Sequence, residues 1–216
     1  IWNGTDYPLQ PGESVILAQS ARNHKEFNNA TPVDLSSAEF EFYTGSTTYP
    51  DMEAVNMEHV FYDGKASNGG LMQYMNPVFG PAMVIFKEVE GETWDPVNDS
   101  DWCVTDMDPS NSSLYAKIPI EYVWDAVETL NNNTIIDLKR VPGLLDSGYI
   151  SVENIYCGKG VARKIATDAD GNPKTLENGA YIYKDTNNTT EDFEVVDPEI
   201  RRNNANMPSW SHTLQN

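Results

Sequence analysis

The stretch that decides the fold is Pro11-Gly-Glu-Ser-Val-Ile-Leu-Ala-Gln19, a turn dipeptide followed by a short apolar run. Pro-Gly marks a turn, and four consecutive apolar residues bounded by turn signals predict a strand over residues 14–19. The same pattern of turn signals and short apolar or aromatic runs recurs along the chain. It predicts further strands over residues 83–89, 149–156, 161–166 and 180–184. An all-β fold is therefore expected.

Two segments carry helical patterns within this all-β background. Apolar residues in 119–130 fall at i, i+3, i+4, i+7 and i+10, which predicts one amphipathic helix packed over a sheet edge. They are Ile120, Val123, Trp124, Val127 and Leu130. A short helix is predicted near residues 36–42, because Asp34 or Ser36 can cap it and Glu39 follows Ser36 at the capping-box spacing.

The net charge of the chain excludes one class of partner, and its length indicates the number of domains. The 216 residues include 14 Lys plus Arg and 33 Asp plus Glu, so the formal net charge is −19. Such a balance excludes nucleic acid as a partner, since binding its phosphates needs clustered cations. Residues 1–216 are expected to form a single domain, with residues 198–216 as an extended polar tail.

Acidic residues mark two candidate metal sites. Asp168 and Asp170 precede Gly171 in a run that resembles the start of a calcium loop, and Asp99 and Asp101 belong to a second acidic stretch. The first run lacks the later ligands of an EF-hand, so a plain turn between strands is the competing interpretation. The sequence predicts no cofactor, and a calcium ion at these residues is the alternative.

Trp94 and Trp102 flank the second acidic stretch and are the candidate ligand-binding residues, since exposed indole faces beside carboxylates suit carbohydrate. The alternative is that they anchor a loop to the core. The sequence has no Gly-x-Ser-x-Gly and no zinc-ligand spacing among its histidines and cysteines, so it predicts no enzyme. Cys103 and Cys157 fit one disulfide or two free thiols equally well.

A family resemblance comes from three parts of the chain: residues 6–24 with 34–41, residues 116–128, and residues 161–164 with 185–193. The first contains Pro11-Gly-Glu-Ser14, and the last closes on Asp185-Thr-Asn-Asn-Thr-Thr-Glu-Asp-Phe193. Together they resemble an uncharacterised family of surface lipoproteins from gut Bacteroidales. The resemblance implies a lamin-tail-like, immunoglobulin-like β-sandwich, with further strands or a domain upstream of Ile1 and a lipid anchor there.

The resemblance also implies a function. It suggests a non-catalytic binding or accessory lipoprotein at the cell surface, on the outer membrane or exported to face the periplasm. A TonB-dependent outer-membrane transporter or sibling surface lipoproteins are the implied partners, and the upstream lipid anchor is the implied membrane contact. Two alternatives stay open: a calcium-stabilised structural surface module, and a secreted glycan hydrolase that uses carboxylates near Trp94 and Trp102.

Overall fold

The computed structural model describes residues 5–26, 33–43, 50–57, 80–87, 91, 93–96, 98–105, 109–110, 114–130, 139–152, 154 and 157–214. Strands make up most of the regular secondary structure in these ranges, and the prediction of an all-β fold is confirmed. The strands are β1 (Leu17–Ala18), β2 (Phe40–Glu41), β3 (Val55–Asn56), β4 (Ala82–Phe86), β5 (Cys103–Thr105), β6 (Leu114–Ala116), β7 (Val123–Leu130), β8 (Ile150–Ser151), β9 (Gly160–Arg163) and β10 (Phe193–Val196). Helix α1 (Thr189–Asp192) is a single turn.

The described strands form four small sheets. Strands β1, β2 and β3 lie side by side and parallel, and β4, β7 and β8 form a second three-stranded sheet. Strand β4 pairs antiparallel with β7, with a bulge between Ile85 and Phe86. Two antiparallel pairs, β5–β6 and β9–β10, complete the arrangement. The immunoglobulin-like packing of these sheets stays a prediction.

The prediction of a helix over residues 119–130 is wrong. A 3-10 turn occupies Ile120–Tyr122, and Val123–Leu130 is strand β7. The stretch is rich in β-branched and aromatic residues, which favour an extended chain, and pairing with β4 supplies the hydrogen bonds that a helix would have made internally. Trp124, which the helical spacing placed on the buried face, is 70% exposed.

The short helix predicted near residues 36–42 is also absent. The amide and hydroxyl of Ser36 both donate to Asp34 Oδ1, at 3.0 and 2.6 Å, and close a local turn instead. These two bonds hold the pKa of the Asp34 carboxyl below its usual value of 3.8. The chain then enters β2, and Glu39, expected to cap the helix, turns into the interior.

Small residues and carboxylates make up much of the interior. Ala18, Ala21, Ala38 and Ala54 form the apolar cluster around the parallel sheet, with Ile16, Leu35 and Met52 packed against it. Five acidic residues are almost completely buried beside such small side chains. We call them the carboxylate framework: Glu39, Glu41, Glu128, Asp146 and Asp192. Buried charge is costly unless it is hydrogen-bonded, so the partners of these groups decide what they do.

Two members of the framework pair with arginine. Glu39 contacts the guanidinium of Arg201 and accepts from the Ile16 amide and the Ser211 hydroxyl, both at 2.8 Å. Glu128 accepts from Arg140 Nη2 at 2.7 Å and from the amides of Arg140 and Val141, each at 2.7 Å. Glu128 therefore joins β7 to residues 140–141, and Glu39, immediately before β2, joins this region to Arg201 at the start of the 3-10 helix Arg202–Asn204.

The other three members bind mainly uncharged donors. Glu41 accepts from the amides of Ala21 and Met52 at 2.8 Å each. Asp146 accepts from the amide and hydroxyl of Thr189, at 2.7 and 2.5 Å. Asp192 accepts from the amide and hydroxyl of Thr186, at 2.7 and 2.8 Å. Asp146 therefore fixes the Asn-rich loop of residues 185–192 against the loop that precedes β8, whereas Asp192 closes the Asn-rich loop on itself.

The segment predicted as an extended polar tail makes specific contacts in its described part, residues 198–214. Trp210 packs against the rings of Tyr7 and Phe40, and its indole N–H donates to the Pro8 carbonyl at 2.7 Å. The Ser14 amide donates to the Asn206 carbonyl at 2.9 Å. This segment therefore covers the beginning of the described chain and contributes to the site described next.

Both cysteines are free of a disulfide in the structure. The Cys103 thiol lies 3.1 Å from the Pro96 carbonyl, whereas Cys157 is exposed. None of the helices in the described part of the chain has the length and apolar character that crossing a bilayer requires.

Candidate functional site

A groove forms where three distant segments meet: residues 12–16, residues 175–183 and residues 199–206. It consists of two neighbouring cavities of about 490 and 540 Å³. The cavities share four lining residues, namely Ser14, Tyr183, Asn203 and Ala205. Each volume lies in the range of ligand sites in proteins, which is roughly 300–1,000 Å³.

The first wall depends on a glycine. Gly12 has φ +90°, a conformation that side chains other than glycine rarely adopt. A Cβ at this position would lie 2.5 Å from Ala180 Cβ, so the two walls approach as closely as a glycine permits. The Asn178 side-chain amide donates to the Pro11 carbonyl at 2.8 Å and ties the second wall to the first.

The second wall is a compact meander. Three isolated antiparallel bridges join Ile165 to Tyr183, Thr167 to Pro173, and Thr175 to Tyr181. The hairpin predicted between residues 161–166 and 180–184 is present in this form, with the Ala166 amide donating to the Ile182 carbonyl at 2.8 Å. The meander brings Tyr181 and Tyr183 to the groove.

The third wall has an unusual backbone. Arg201, Asn203 and Asn204 all have φ near +55 to +60°. Asparagine tolerates this left-handed region better than most residues, whereas arginine does so at a cost in strain. Arg201 is held there by Glu39 and by the Ser14 carbonyl, to which its Nη1 donates at 2.6 Å. The turn brings the asparagines of this segment to the lining of the groove.

Most groups at the narrower, 490 Å³ end are neutral and polar. Asn203 Nδ2 donates to the Tyr183 hydroxyl at 3.2 Å, which joins the second and third walls. The side chains of Asn204 and Asn206 are exposed and bond to no other described residue. Glu13 is the charged residue among the described lining of this end, and its carboxylate accepts from the Gln10 amide at 2.8 Å.

The other end carries three arginines, and each faces a carboxylate. Arg163 contacts Asp125 and lies 3.5 Å from Asp185, and Arg201 contacts Glu39. Arg202 lies 3.3 Å from Glu194 and 4.0 Å from Glu199. Positive charge is therefore compensated within the protein at this end. Between its two ends the groove offers amides, hydroxyls and aromatic rings.

Comparison with known proteins gives the family. A family model described as proteins of unknown function matches residues 10–199. The chain belongs to the DUF4876 family. The crystal structure of a DUF4876 family protein from Bacteroides thetaiotaomicron is similar, with a TM-score of 0.92 and 54% sequence identity. The similarity covers 98% of this chain and 56% of the solved one, so the chain spans little more than half of that relative. No curated protein matches the sequence.

The first predicted metal residues of this DUF4876 protein lie in a self-contained turn. Asp168 Oδ1 accepts from the amides of Asp170 and Asn172, both at 2.9 Å. The amide and side chain of Asn172 hold the pKa of Asp168 below its usual value of 3.8. Its carboxylate thus supports the turn between the first two strands of the meander, as the turn interpretation expects.

The second predicted pair also takes part in local structure. Asp99 Oδ1 accepts from the Asp101 amide at 3.0 Å and caps the 3-10 turn Ser100–Trp102. Among the described residues, no cluster of three or more His, Cys, Asp or Glu side chains is arranged to hold a metal ion. The structure does not bring Asp99 or Asp101 to the groove.

The predicted ligand-binding tryptophans differ in exposure. Trp94 is only 8% exposed, packs on Phe86 with ring centroids 5.1 Å apart, and donates to the Lys117 carbonyl at 2.8 Å. Little of its indole face is available to a ligand, as the core-anchor alternative expects. Trp102 is half-buried at the end of its 3-10 turn. Neither lines the groove.

None of the residues that line the groove is among the site residues that the sequence predicts. Asn203, Asn204 and Asn206 lie in a segment whose composition predicts a polar tail. The alternation Tyr181-Ile182-Tyr183 is the available signal, since it places two aromatic rings on one side of a strand. Contact between this strand and residues 12–16 has no local sequence signature.

Proposed function

We propose that this protein is a non-catalytic binding module of the bacterial cell surface and that the groove is its binding site. In this proposal the protein is a lipoprotein, held at the membrane by a lipid anchor. It serves as an accessory to a TonB-dependent outer-membrane transporter or to sibling surface lipoproteins.

The observation that carries the proposal is the lining of the groove. Asn204 and Asn206 present amides that bond to no described residue, beside the rings of Tyr181 and Tyr183. Amides and aromatic rings recognise ligands through directed hydrogen bonds and stacking. A concave surface with a few convergent polar groups is the usual form of a small-ligand site.

The location and the partners rest on the comparisons and on the family resemblance. The similar solved protein comes from Bacteroides thetaiotaomicron. Residues 6–24 and 185–193 resemble surface lipoproteins of gut Bacteroidales. The solved Bacteroides thetaiotaomicron protein is considerably longer than this chain. A surface module that works beside a transporter is consistent with both findings.

The experiment is a mild cross-link followed by affinity capture of the tagged full-length protein from native membranes, with mass spectrometry of the captured material. A surface lipoprotein carrying the same tag serves as the control. We expect an outer-membrane transporter or sibling lipoproteins to be enriched over that control. Recovery of the protein alone would contradict the accessory role, and recovery from the cytosol would contradict the location.

Glycan hydrolysis is a second candidate, favoured by two carboxylates that line the groove. Glu13 lies towards the narrower end, and Glu199 lines the arginine-containing end. Hydrolases of this type need one carboxyl as acid and another as base or nucleophile. Release of reducing ends from polysaccharides, abolished in both Glu13→Gln and Glu199→Gln, would establish this reaction. Unchanged substrates leave the binding role in place.

A further inference from the structure

The chemistry of the groove narrows the ligand class, and this inference rests on the proposed function because it concerns the same groove. Polar groups that the protein leaves exposed to solvent show what a ligand can bind in place of water. The side chains of Asn204 and Asn206 each offer one carbonyl acceptor and two N–H donors that no described residue uses. A hydroxyl group both donates and accepts, so adjacent hydroxyls on one ligand match such amides.

The aromatic rings add a second requirement. Tyr181 and Tyr183 both line the narrower cavity, and the Tyr183 hydroxyl is oriented by the bond from Asn203. A fixed ring presents a flat apolar face beside polar groups. The ligand that fits has C–H groups on one face and hydroxyls at its edge, which is the amphipathic character of a sugar ring.

Charge argues against an anionic ligand. Arg163, Arg201 and Arg202 all lie against carboxylates of the protein itself. An acidic ligand would therefore meet compensated cations, in a chain whose formal net charge is −19. Repulsion at long range and the carboxylate beside each lining arginine both favour a neutral ligand.

A peptide is a poorer match than a sugar. Extended peptides usually add a strand to a sheet edge through main-chain bonds. Here the main chain of the walls is already paired: Ser14 with Asn206, Asn206 with Gly12, and Leu176 with Ala180. The groove presents side-chain amides and not a row of free backbone groups, and these amides are spaced along a turn.

We propose that the groove binds a neutral oligosaccharide. Asn204 and Asn206 hydrogen-bond its hydroxyls, and Tyr183, oriented by Asn203, stacks against a sugar ring. The two cavities are adjacent and share four lining residues, so a chain of more than one sugar unit can extend along the groove from the asparagines towards Arg202.

The test is native gel electrophoresis of the purified chain in gels that contain soluble polysaccharide. The neutral panel consists of dextran, laminarin, xyloglucan, galactomannan, yeast mannan, arabinoxylan and galactan, and polygalacturonate is the acidic comparison. We expect at least one neutral polysaccharide to retard the protein and polygalacturonate to leave its mobility unchanged. Calorimetry with oligosaccharides from the retarding polysaccharide then gives a Kd.

Three variants probe the groove, and two serve as controls. Asn204→Gly keeps a residue that accepts the positive φ, while Asn206→Ala and Tyr183→Ala remove the other contacts. Each should weaken binding by about tenfold, in line with the loss of one or two directed contacts. Asn98→Ala removes an exposed asparagine elsewhere. Tyr115→Ala removes a tyrosine of similar exposure, 42% against 40% for Tyr183. Both controls should bind normally.

Several results would overturn the proposal. These are no retardation across the neutral panel, retardation by polygalacturonate alone, and retardation that survives in both Asn204→Gly and Asn206→Ala. If extended peptides from a library bind and the same variants abolish that binding, the ligand class is a peptide and not a sugar. None of these results bears on the membrane capture experiment, so a failure of the ligand class is separable from a failure of the surface role.

Discussion

In the carboxylate framework each polar side chain is bonded to another part of the chain, whereas in the groove two asparagine side chains bond to no described residue. Glu39 is the clearest case of the first kind, since it binds Arg201, Ile16 and Ser211 from inside the protein. Asn204 is exposed and has no such partner among the described residues. Polar groups of the first region therefore serve stability, and those of the second are free for a ligand. The two regions should respond to mutation in opposite ways.

The largest effect is expected at Glu39. Replacing it by Ala leaves the nearly buried Arg201 guanidinium without its carboxylate and the Ile16 amide without its acceptor. Breaking a buried ion pair in this way costs about 3–5 kcal/mol of unfolding free energy. Urea denaturation followed by tryptophan fluorescence measures the loss.

The matched control is Glu199→Ala, which removes an exposed carboxylate 4.0 Å from Arg202. It should change the free energy of unfolding by less than about 0.5 kcal/mol. Equal losses in the two variants would show that burial of Glu39 does not matter.

A smaller effect is expected where the framework meets the loop of residues 185–192. A Cβ on Gly148 would lie 2.6 Å from the Thr190 amide nitrogen and would push the loop away. Gly148→Ala should cost about 1–3 kcal/mol through overpacking. Gly143→Ala is the control, because nothing lies within 4 Å of the added methyl. Thermal unfolding of both variants tests the difference, and equal melting temperatures would contradict it.

A pH dependence should follow from Asp192. Burial raises the pKa of this carboxyl. The amide and hydroxyl of Thr186, the Asn188 amide and the Arg163 charge lower the pKa by more than burial raises it, so the net result lies below the usual 3.8. The unfolded chain then binds the proton more tightly than the folded one. The stabilisation by Asp192 is complete above about pH 4 and is lost as the pH falls through the folded pKa.

Urea midpoints measured from pH 6 down to pH 2 test this dependence. Asp192→Asn should be less stable at neutral pH and should lose less stability on acidification than the unmodified chain. Parallel pH profiles for the two proteins would show that Asp192 does not contribute.

At the two groove asparagines without protein partners, mutation should hardly change the stability. Asn206→Ala removes an exposed side chain that bonds to no described residue, so its free energy of unfolding should change by less than about 0.5 kcal/mol. The same variant should lose retardation by neutral polysaccharide. A large destabilisation with intact binding would assign Asn206 to the framework instead.

The smallest effect is expected from calcium. The Asp168 carboxylate already accepts from Asp170 and Asn172, so the turn has little to gain from a cation. Millimolar calcium chloride should shift the melting temperature by less than about 1 °C. A shift of several degrees that disappears in Asp168→Asn would support the calcium-stabilised module instead.

The fold class could be predicted from the sequence because turn chemistry is local. Pro11-Gly12 and Asp170-Gly171 mark turns through backbone preferences that act over two or three residues. For residues 119–130 the local sequence pattern gave the wrong prediction, because apolar residues spaced by three and four positions also occur by chance in a strand. There the β-branched composition, and the pairing with β4 that no local pattern reveals, outweighed the helical spacing.

The site could not be predicted for a related reason. Its walls come from residues 12–16, 175–183 and 199–206, and only the folded chain brings them together. Nor does an acidic sequence reveal which of its 33 carboxylates are buried. The capping-box spacing predicts that Glu39 caps a helix. In the structure Glu39 instead pairs with Arg201, which lies in the segment whose composition predicts a polar tail.

The bond between Glu39 and Arg201 has a consequence for the order of events during synthesis. The two residues are 162 positions apart, so Glu39 leaves the ribosome long before its partner exists. At about 5–20 residues per second the delay is roughly 8–30 s. A parallel sheet formed during that time would hold an uncompensated charge and would lack its aromatic cover from Trp210. A nascent chain that stops before residue 201 should therefore remain protease-sensitive at its beginning, and folding becomes possible only when the segment around Arg201 and Trp210 has emerged.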